Sequence, residues 1–328
     1  MKRLFQSHHH FFELARTGYR LPAFLPSKAI TIFDYIYPIL ALLLSISFLI
    51  ISQVIGTIFT ALWFSPFASS ETSNLGAFIP ETAVELMASL IATFGPLFLI
   101  LAIWLLLFEK RQLWTIGLER KQALYYYLRG LLVGVLMLAS AVGISAAFGY
   151  IAFEEGNPQT QGIAALGGVG IIFLGWMVQG AAEELLTRGW LLQVIGSRYH
   201  PVIGIFLSSL LFALLHGLNP NVSAIGLLNI FLFGVFAALY TLYEGGLWGI
   251  FSIHSAWNWA QGNLFGFQVS GLEEVGNTAI NLMEVGPDMI TGGPFGPEGG
   301  LAATIVLLTS SVLVLIASQR QTSDRAAS

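Results

Sequence analysis

Residues 179–188, QGAAEELLTR, place two adjacent carboxylates and an arginine in a segment otherwise apolar enough for a lipid bilayer. Each such charge costs about 2.5–3.5 kcal/mol on membrane-insertion scales. Residues kept at that cost usually pair with one another, face a wet cavity, or do both. The stretch therefore predicts a polar site inside a membrane-spanning helix.

Helix geometry gives the two glutamates different neighbours. Glu184 and Arg188 lie at positions i and i+4 with the acid first, which is the favourable order for an ion pair on one face. Glu183 points about 100° away and has no basic residue within a turn. We predict a structural Glu184–Arg188 pair and a Glu183 carboxylate free for chemistry. The alternative is a buried ion pair beside a protonated glutamate that only packs helices.

Composition defines the class of protein. Of the 328 residues, 55% are hydrophobic and 10% are charged, whereas soluble domains carry about 25% charged residues. The chain is therefore predicted to be an all-α polytopic membrane protein. The absence of cysteine excludes disulfides, thiolate nucleophiles and thiolate metal ligands. No cleavable signal peptide is expected, because polar residues follow Lys2 and Arg3.

Apolar stretches of about 20 residues predict eight transmembrane helices. They lie near 35–63, 84–108, 130–153, 169–193, 201–217, 223–243, 247–268 and 301–317. The predicted parts of the chain are a basic N-terminal arm (1–32), N-terminal transmembrane helices (33–160), a catalytic helical core (161–268), an acidic Gly/Pro-rich loop (269–300) and a last helix with its tail (301–328). The arm is expected to lie partly on the bilayer surface.

The charges of the predicted loops alternate in sign. Lysine and arginine fall at 2–28, 110–129, 198 and 320–325. The loops between them carry no Lys or Arg but contain Glu71, Glu81, Glu154, Glu155, Glu273, Glu274, Glu284, Asp288 and Glu298. By the positive-inside rule, both termini are cytoplasmic and loop 269–300 is external. The expected location is the plasma membrane.

Two further spans carry polar side chains. His216 ends the fifth span, and His254 and Asn258 share one face of the seventh at i and i+4. Counting a rise of about 1.5 Å per residue from the cytoplasmic turns puts Glu183, His216 and Asn258 at similar depth, with His254 one turn lower. A single histidine in a span is more often a packing residue. Together these side chains predict one intramembrane cavity.

A glutamate, two histidines and an asparagine in a dry pocket suit water attack on an amide carbonyl. The carboxylate can accept a proton from water while a histidine orients that water. The second histidine and the asparagine amide can donate hydrogen bonds to the developing oxyanion. The alternative is a zinc site built from His216, His254 and one or both glutamates. We favour glutamate catalysis without a cofactor, because no His-Glu-x-x-His pair is present.

Three motifs in order on separate spans carry a family resemblance. They are Glu183-Glu184-x-x-x-Arg188, Phe212-x-x-x-His216 and His254-x-x-x-Asn258. This set resembles that of the CAAX prenyl proteases and bacteriocin-processing enzymes, the Abi family of intramembrane endopeptidases that includes the Ras-converting enzyme. The resemblance covers residues 170–265.

The resemblance assigns roles to these residues. It implies that Glu183 and His216 activate water and that His254 and Asn258 form the oxyanion site. Glu184, Arg188 and Phe212 would support them. It does not imply a prenylated substrate.

The leading functional hypothesis is therefore an intramembrane endopeptidase. A non-proteolytic immunity or assembly partner that kept the pocket as a scaffold is a second possibility. A transporter or channel with the buried carboxylate as a proton relay is a third. The expected partners are the lipid bilayer and a protein or peptide substrate, with no nucleic acid.

Overall fold

A computed structural model describes residues 4–6, 8–16, 30–64, 82–272 and 277–327, and the chain is mostly helical. Most of the predicted N-terminal arm lies outside these residues, as do Glu71, Glu81, Glu273 and Glu274. The α-helices are α1 His10–Ala15, α2 Ile30–Phe64, α3 Ala83–Ile103, α4 Ala123–Ala147, α5 Leu166–Glu184, α6 Leu192–Arg198, α7 Pro201–His216, α8 Ala224–Glu244, α9 Trp248–Trp259, α10 Asp288–Thr291 and α11 Leu301–Ala327.

Shorter elements join or extend these helices. The π-helical turns are Trp104–Phe108, Leu185–Leu191 and Ala260–Leu264, and the 3-10 helices are Leu113–Ile116, Gly162–Ala165, Gly293–Phe295 and Pro297–Gly299. The strands are β1 Ile151–Phe153 and β2 Leu282–Glu284, which pair antiparallel with Ile151 opposite Glu284. The fold is therefore helical apart from one small sheet that the sequence did not predict.

Six helical segments of the described chain are long and apolar enough to cross a membrane. They are Tyr35–Leu62, Ala83–Phe108, Ala123–Ala147, Gly162–Arg198, Ala224–Glu244 and Leu301–Arg320. The predicted fifth and seventh spans correspond to shorter helices, α7 and α9 with its π turn. These lengths support a polytopic membrane protein, and the count of eight spans remains a prediction.

The third span begins earlier than predicted. It starts at Ala123 and not near residue 130, so Arg129 lies inside helix α4. Arg129 Nη2 donates a hydrogen bond of 2.8 Å to Glu244 Oε2, and the Glu244 side chain is fully buried. Because this pairing neutralises both charges, the helix can include an arginine that we expected in a loop.

The segments rich in lysine and arginine meet at one end of the bundle. Arg16 Nη2 donates to Ser197 O at 3.0 Å, and Arg111 Nη2 donates to Gln193 Oε1 at 2.6 Å. Trp248 Nε1 donates to the Glu119 carbonyl at 2.8 Å. We call the segments 8–16, 109–129, 193–200 and 244–248 the basic end.

Helix α1, the described helix of the predicted N-terminal arm, packs against the bundle. Phe11 and Phe12 are fully buried inside the protein. Gln193 Nε2 donates to the Phe11 carbonyl at 2.9 Å, and an added Cβ at Gly196 would lie only 2.3 Å from Phe12 Cε1. The aromatic pair therefore fills a space on α6 that glycine leaves open, and this part of the arm is bound to the bundle.

The opposite end carries the acidic loop, residues 269–300, which we call the outer loop. Its described parts, 269–272 and 277–300, bond to the bundle and to each other: Ala279 N donates to Asn263 O at 2.8 Å, and Gly271 N donates to Phe295 O at 3.0 Å. Gly296 has a φ of 95°, and a Cβ there would lie 2.1 Å from Gln268 O. Glycine is required at this point, because no other side chain fits the left-handed, crowded backbone.

Close helix packing brings the polar spans together. A Cβ on Gly180 of α5 would lie 2.9 Å from the backbone N of Ser255 on α9. A Cβ on Gly134 of α4 would lie 2.4 Å from the Ile253 carbonyl on α9. Helix α9 therefore fits closely between α4 and α5, because small residues let helix backbones approach. This packing sets His254 against the end of α5.

Candidate active site

Helix α5 ends in the two glutamates, and a π-helical turn starts directly after them. Arg188 Nη1 donates to Glu184 Oε1 at 3.0 Å, and both side chains are fully buried. The Arg188 guanidinium also lies 4.5 Å from the centre of the Phe212 ring. Such π turns occur frequently at functional sites. Glu184, Arg188 and Phe212 thus form one buried cluster, as the spacing predicted for the ion pair.

His254 contacts both glutamates. Its Nδ1–H donates to Glu184 Oε1 at 2.9 Å, and its Nε2 lies 3.8 Å from Glu183 Oε2. A carboxylate can only accept in the first contact, so the proton of the neutral ring lies on Nδ1. The unprotonated Nε2 then faces Glu183. Sequence reasoning placed these three residues in one site but did not predict that one imidazole would bridge the two acids.

The two glutamates differ in burial. The Glu184 side chain is fully buried, whereas 15% of the Glu183 side chain is exposed. One oxygen of each carboxylate, Glu183 Oε2 and Glu184 Oε2, has no hydrogen-bond partner among the described residues, and Glu183 is the acid whose side chain is partly exposed.

Asn258 lies one turn after His254 and bonds to α5. Its Nδ2 donates to Gln179 Oε1 at 3.0 Å. An amide nitrogen carries two hydrogens, so this bond leaves the second hydrogen of Asn258 for another acceptor. The sequence analysis did not select Gln179, although its position four residues before Glu183 on the same helix face could have indicated it.

His216 ends α7 and is held by its own helix. Its Nδ1–H donates to the Phe212 carbonyl at 2.9 Å, and the two rings lie 4.4 Å apart between centres. Because Nδ1 is occupied, Nε2 is the nitrogen left for the cavity. His254 contacts Glu183, whereas no such contact is present for His216, which lines the same cavity as His254.

That cavity gathers residues from several helices and from the outer loop. Its lining is Phe212, His216, Asn229, Ile230, Phe233, His254, Trp257, Asn258, Ser270, Glu298 and Leu307. Three of the four predicted catalytic residues line it, and His254 links it to Glu183. The carboxylate of Glu298 was missed, because the Gly/Pro-rich sequence around it predicted an external loop.

The zinc alternative requires at least three ligands that converge. Among the described residues, no group of three or more His, Asp or Glu side chains has an arrangement that could hold a metal ion. The two histidines lie on different helices, and His254 is bonded to Glu184. The absence of a cofactor remains a prediction, and the chemistry proposed below uses only the side chains of this protein.

Residues 165–260 match the family model of the Rce1-like proteins, described as type II CAAX prenyl endopeptidase Rce1-like. The match confirms the resemblance to the CAAX protease family and supports an intramembrane endopeptidase at the family level. All seven predicted site residues lie within it. No curated protein and no solved structure matches the chain.

Proposed function

We propose that this protein is an intramembrane endopeptidase that hydrolyses a peptide bond with water activated by Glu183. The observation that carries the proposal is the Glu183–His254–Glu184 arrangement at the edge of a polar cavity. Glu183 has a free oxygen 3.8 Å from His254 Nε2, while Glu184 fixes the other side of the same ring. The Rce1-like match over this segment supports the reaction class.

Water activation uses the two acceptors that face each other. A water molecule beside Glu183 Oε2 and His254 Nε2 donates one hydrogen to each of them, which directs its lone pair toward the cavity. Glu183 then takes a proton as the oxygen attacks the carbonyl carbon. Glu184 accepts from His254 Nδ1–H and holds the ring in the required tautomer, with Arg188 balancing the charge of Glu184.

The tetrahedral intermediate needs donors on the far side of the carbonyl. The second amide hydrogen of Asn258 supplies one such donor, and its position is fixed by the bond to Gln179. His216, with Nε2 available to the cavity, supplies a second donor when it is protonated. The C–N bond then breaks, and the proton held by Glu183 passes to the leaving amine. These assignments exchange the roles that the family resemblance implies for the two histidines. His254 acts beside Glu183, because its Nε2 lies 3.8 Å from Glu183 Oε2, and His216 joins Asn258 as a donor.

The test is cleavage of a peptide library by the purified protein in detergent or vesicles. We expect cleavage by wild type, none by Glu183→Gln, and normal cleavage by Glu154→Gln, which changes an exposed loop carboxylate. Activity that is unchanged by chelator supports the metal-free route. Cleavage that survives in Glu183→Gln would contradict the assigned base. Absence of cleavage by wild type would favour the scaffold hypothesis.

A further inference from the structure

Glu298 lies outside the segment that matches the family model, yet its carboxylate lines the same cavity as His216. It is 7% exposed. Its Oε1 accepts hydrogen bonds from Ser270 N at 2.5 Å, from Ser270 Oγ at 2.8 Å and from Gln261 Nε2 at 3.3 Å. All of these bonds converge on one oxygen, so Oε2 accepts none of them. The outer loop therefore delivers a third buried carboxylate to the site.

The backbone that holds this carboxylate is strained. Ser270 has a φ of 52°, a left-handed conformation that non-glycine residues seldom adopt. Both its N–H and its hydroxyl bond to Glu298, and its carbonyl accepts from Asn219 Nδ2 at 3.1 Å. Strain of this kind persists where the surroundings fix it, and it clusters at functional sites.

The anchors of the loop follow the catalytic motifs. Asn219 lies three residues after His216, and Gln261 lies seven residues after His254. Gln261 Oε1 accepts from Trp257 Nε1 at 3.1 Å, and its Nε2 also donates to Gln268 O at 2.6 Å. Asn219 and Gln261 therefore help to hold Glu298 in place. The proposed hydrolysis uses neither of these two residues.

The titratable neighbours of Glu298 lie within the cavity. Within the described part of the chain, no lysine or arginine forms an ion pair with it. The titratable side chains that line the cavity are His216, His254 and Glu298. Burial raises the pKa of Glu298, and the charge of His216 acts in the opposite direction. His254 is already engaged by Glu184, so His216 is the cation partner available to Glu298.

We propose that Glu298 is a positioning residue that faces His216 in the cavity and fixes the orientation of its imidazole by electrostatic attraction. This inference rests on the proposed hydrolysis for its effect on rate, but the contact itself can be tested without any substrate. Because His216 Nδ1 is bonded to the Phe212 carbonyl, the orientation of this ring decides where its Nε2 lies relative to the reacting carbonyl.

The experiment uses Glu298→Gln, which keeps an oxygen acceptor for Ser270 but removes the charge. Ser270→Ala removes one loop contact and keeps the charge. Glu284→Gln is the matched control, because Glu284 is another partly buried carboxylate of the outer loop that does not line the cavity. In histidine-labelled protein, the resonances of the six histidines are compared among these variants. The His216 signal is assigned by its loss in His216→Gln.

We expect Glu298→Gln to move the His216 resonance. We also expect it to lower kcat by about 10- to 100-fold with little change in KM, because one interaction with a charged group is worth about that much. Glu298→Asp should restore part of both. Ser270→Ala and Glu284→Gln should leave the His216 signal near its wild-type position. An unchanged His216 resonance in Glu298→Gln would overturn the inference. Absence of cleavage by wild type would refute the hydrolysis alone, because the resonance comparison does not depend on it.

Discussion

At the scale of single residues, His254 couples the two glutamates. One ring nitrogen bonds to Glu184, and the other lies near Glu183. A change at Glu184 therefore reaches Glu183 through the orientation of the imidazole, although the two acids point to different sides of their helix. The structural and the reactive glutamate thus differ in the residues that they contact. Mutation of one glutamate at a time can therefore distinguish their two roles.

Glu184→Gln is expected to destabilise the protein, because it leaves Arg188 charged and without its ion-pair partner. Removing one member of a buried pair costs about 3–5 kcal/mol. The measurement is thermal unfolding in detergent, with Glu183→Gln as the matched variant one residue away. Glu183→Gln should unfold near the wild-type temperature while losing hydrolysis. Equal stability of Glu184→Gln and wild type would contradict the structural role of Glu184.

Asn258→Ala is expected to lower kcat by about 100- to 1,000-fold, the usual cost of one oxyanion donor. KM should change little, because the donor acts mainly in the transition state. Gln179→Ala tests the two hydrogens of the Asn258 amide separately. It removes the acceptor that lies 3.0 Å from Asn258 Nδ2, but it keeps the Asn258 amide as a donor to the oxyanion. It should cost much less than Asn258→Ala. A rise in KM without a fall in kcat for Asn258→Ala would place the amide in substrate binding.

At the scale of secondary-structure elements, the position of α9 determines the site. The helix carries His254 and Asn258 and packs against α4 and α5 at glycine contacts. The π turn after Glu184 and the one after Trp259 fall on either side of this packing. The geometry of the site therefore depends on the distance between α9 and its neighbours. A sequence pattern of small residues indicates that helices approach closely, but it does not give that distance.

Gly180→Ala tests this dependence. The new Cβ would lie 2.8 Å from Ser255 Oγ and 2.9 Å from Ser255 N, so α5 and α9 must move apart. Overpacking of this kind costs about 1–3 kcal/mol, and we expect lower thermal stability together with lower activity. Gly170→Ala in the same helix is the control, because nothing lies within 4 Å of its added Cβ. Similar behaviour of the two variants would show that the α5–α9 distance does not matter.

At the scale of the whole molecule, the two ends of the bundle differ in charge. Lysine and arginine collect at the basic end, where segments far apart in sequence bond to one another. The outer loop lies at the opposite end, and the cavity is lined by two of its residues, Ser270 and Glu298. If the positive-inside rule holds, the cavity lies on the outer side of the membrane centre.

A reporter fused after residue 285 tests the orientation. We expect it to read as external, because the outer loop is separated from the basic end by an odd number of predicted spans. A second reporter fused after residue 198, at the basic end, should read as cytoplasmic. A cytoplasmic reading at 285 would overturn both the eight-span topology and the outward position of the cavity.

Local sequence patterns predicted much of the site because charges are costly in a membrane. The Glu184–Arg188 spacing, the His254–Asn258 face and the common depth of the polar spans all follow from helix geometry. Glu298 could not be found in this way, because its contact with the cavity depends on how a loop of glycines and prolines folds in three dimensions. Gln179 was passed over because an uncharged amide gives a weaker signal than a carboxylate.

The burial of α1 has a consequence for the way in which the protein is made. Phe11 and Phe12 leave the ribosome first, but the glycine surface at Gly196 that receives Phe12 is synthesised about 10–40 s later at usual rates. During that interval Phe11 can reach its earlier partner at Gly117, but Phe12 lacks its contact on α6. The docking of α1 thus waits for α6, and a chain released before α6 cannot complete it.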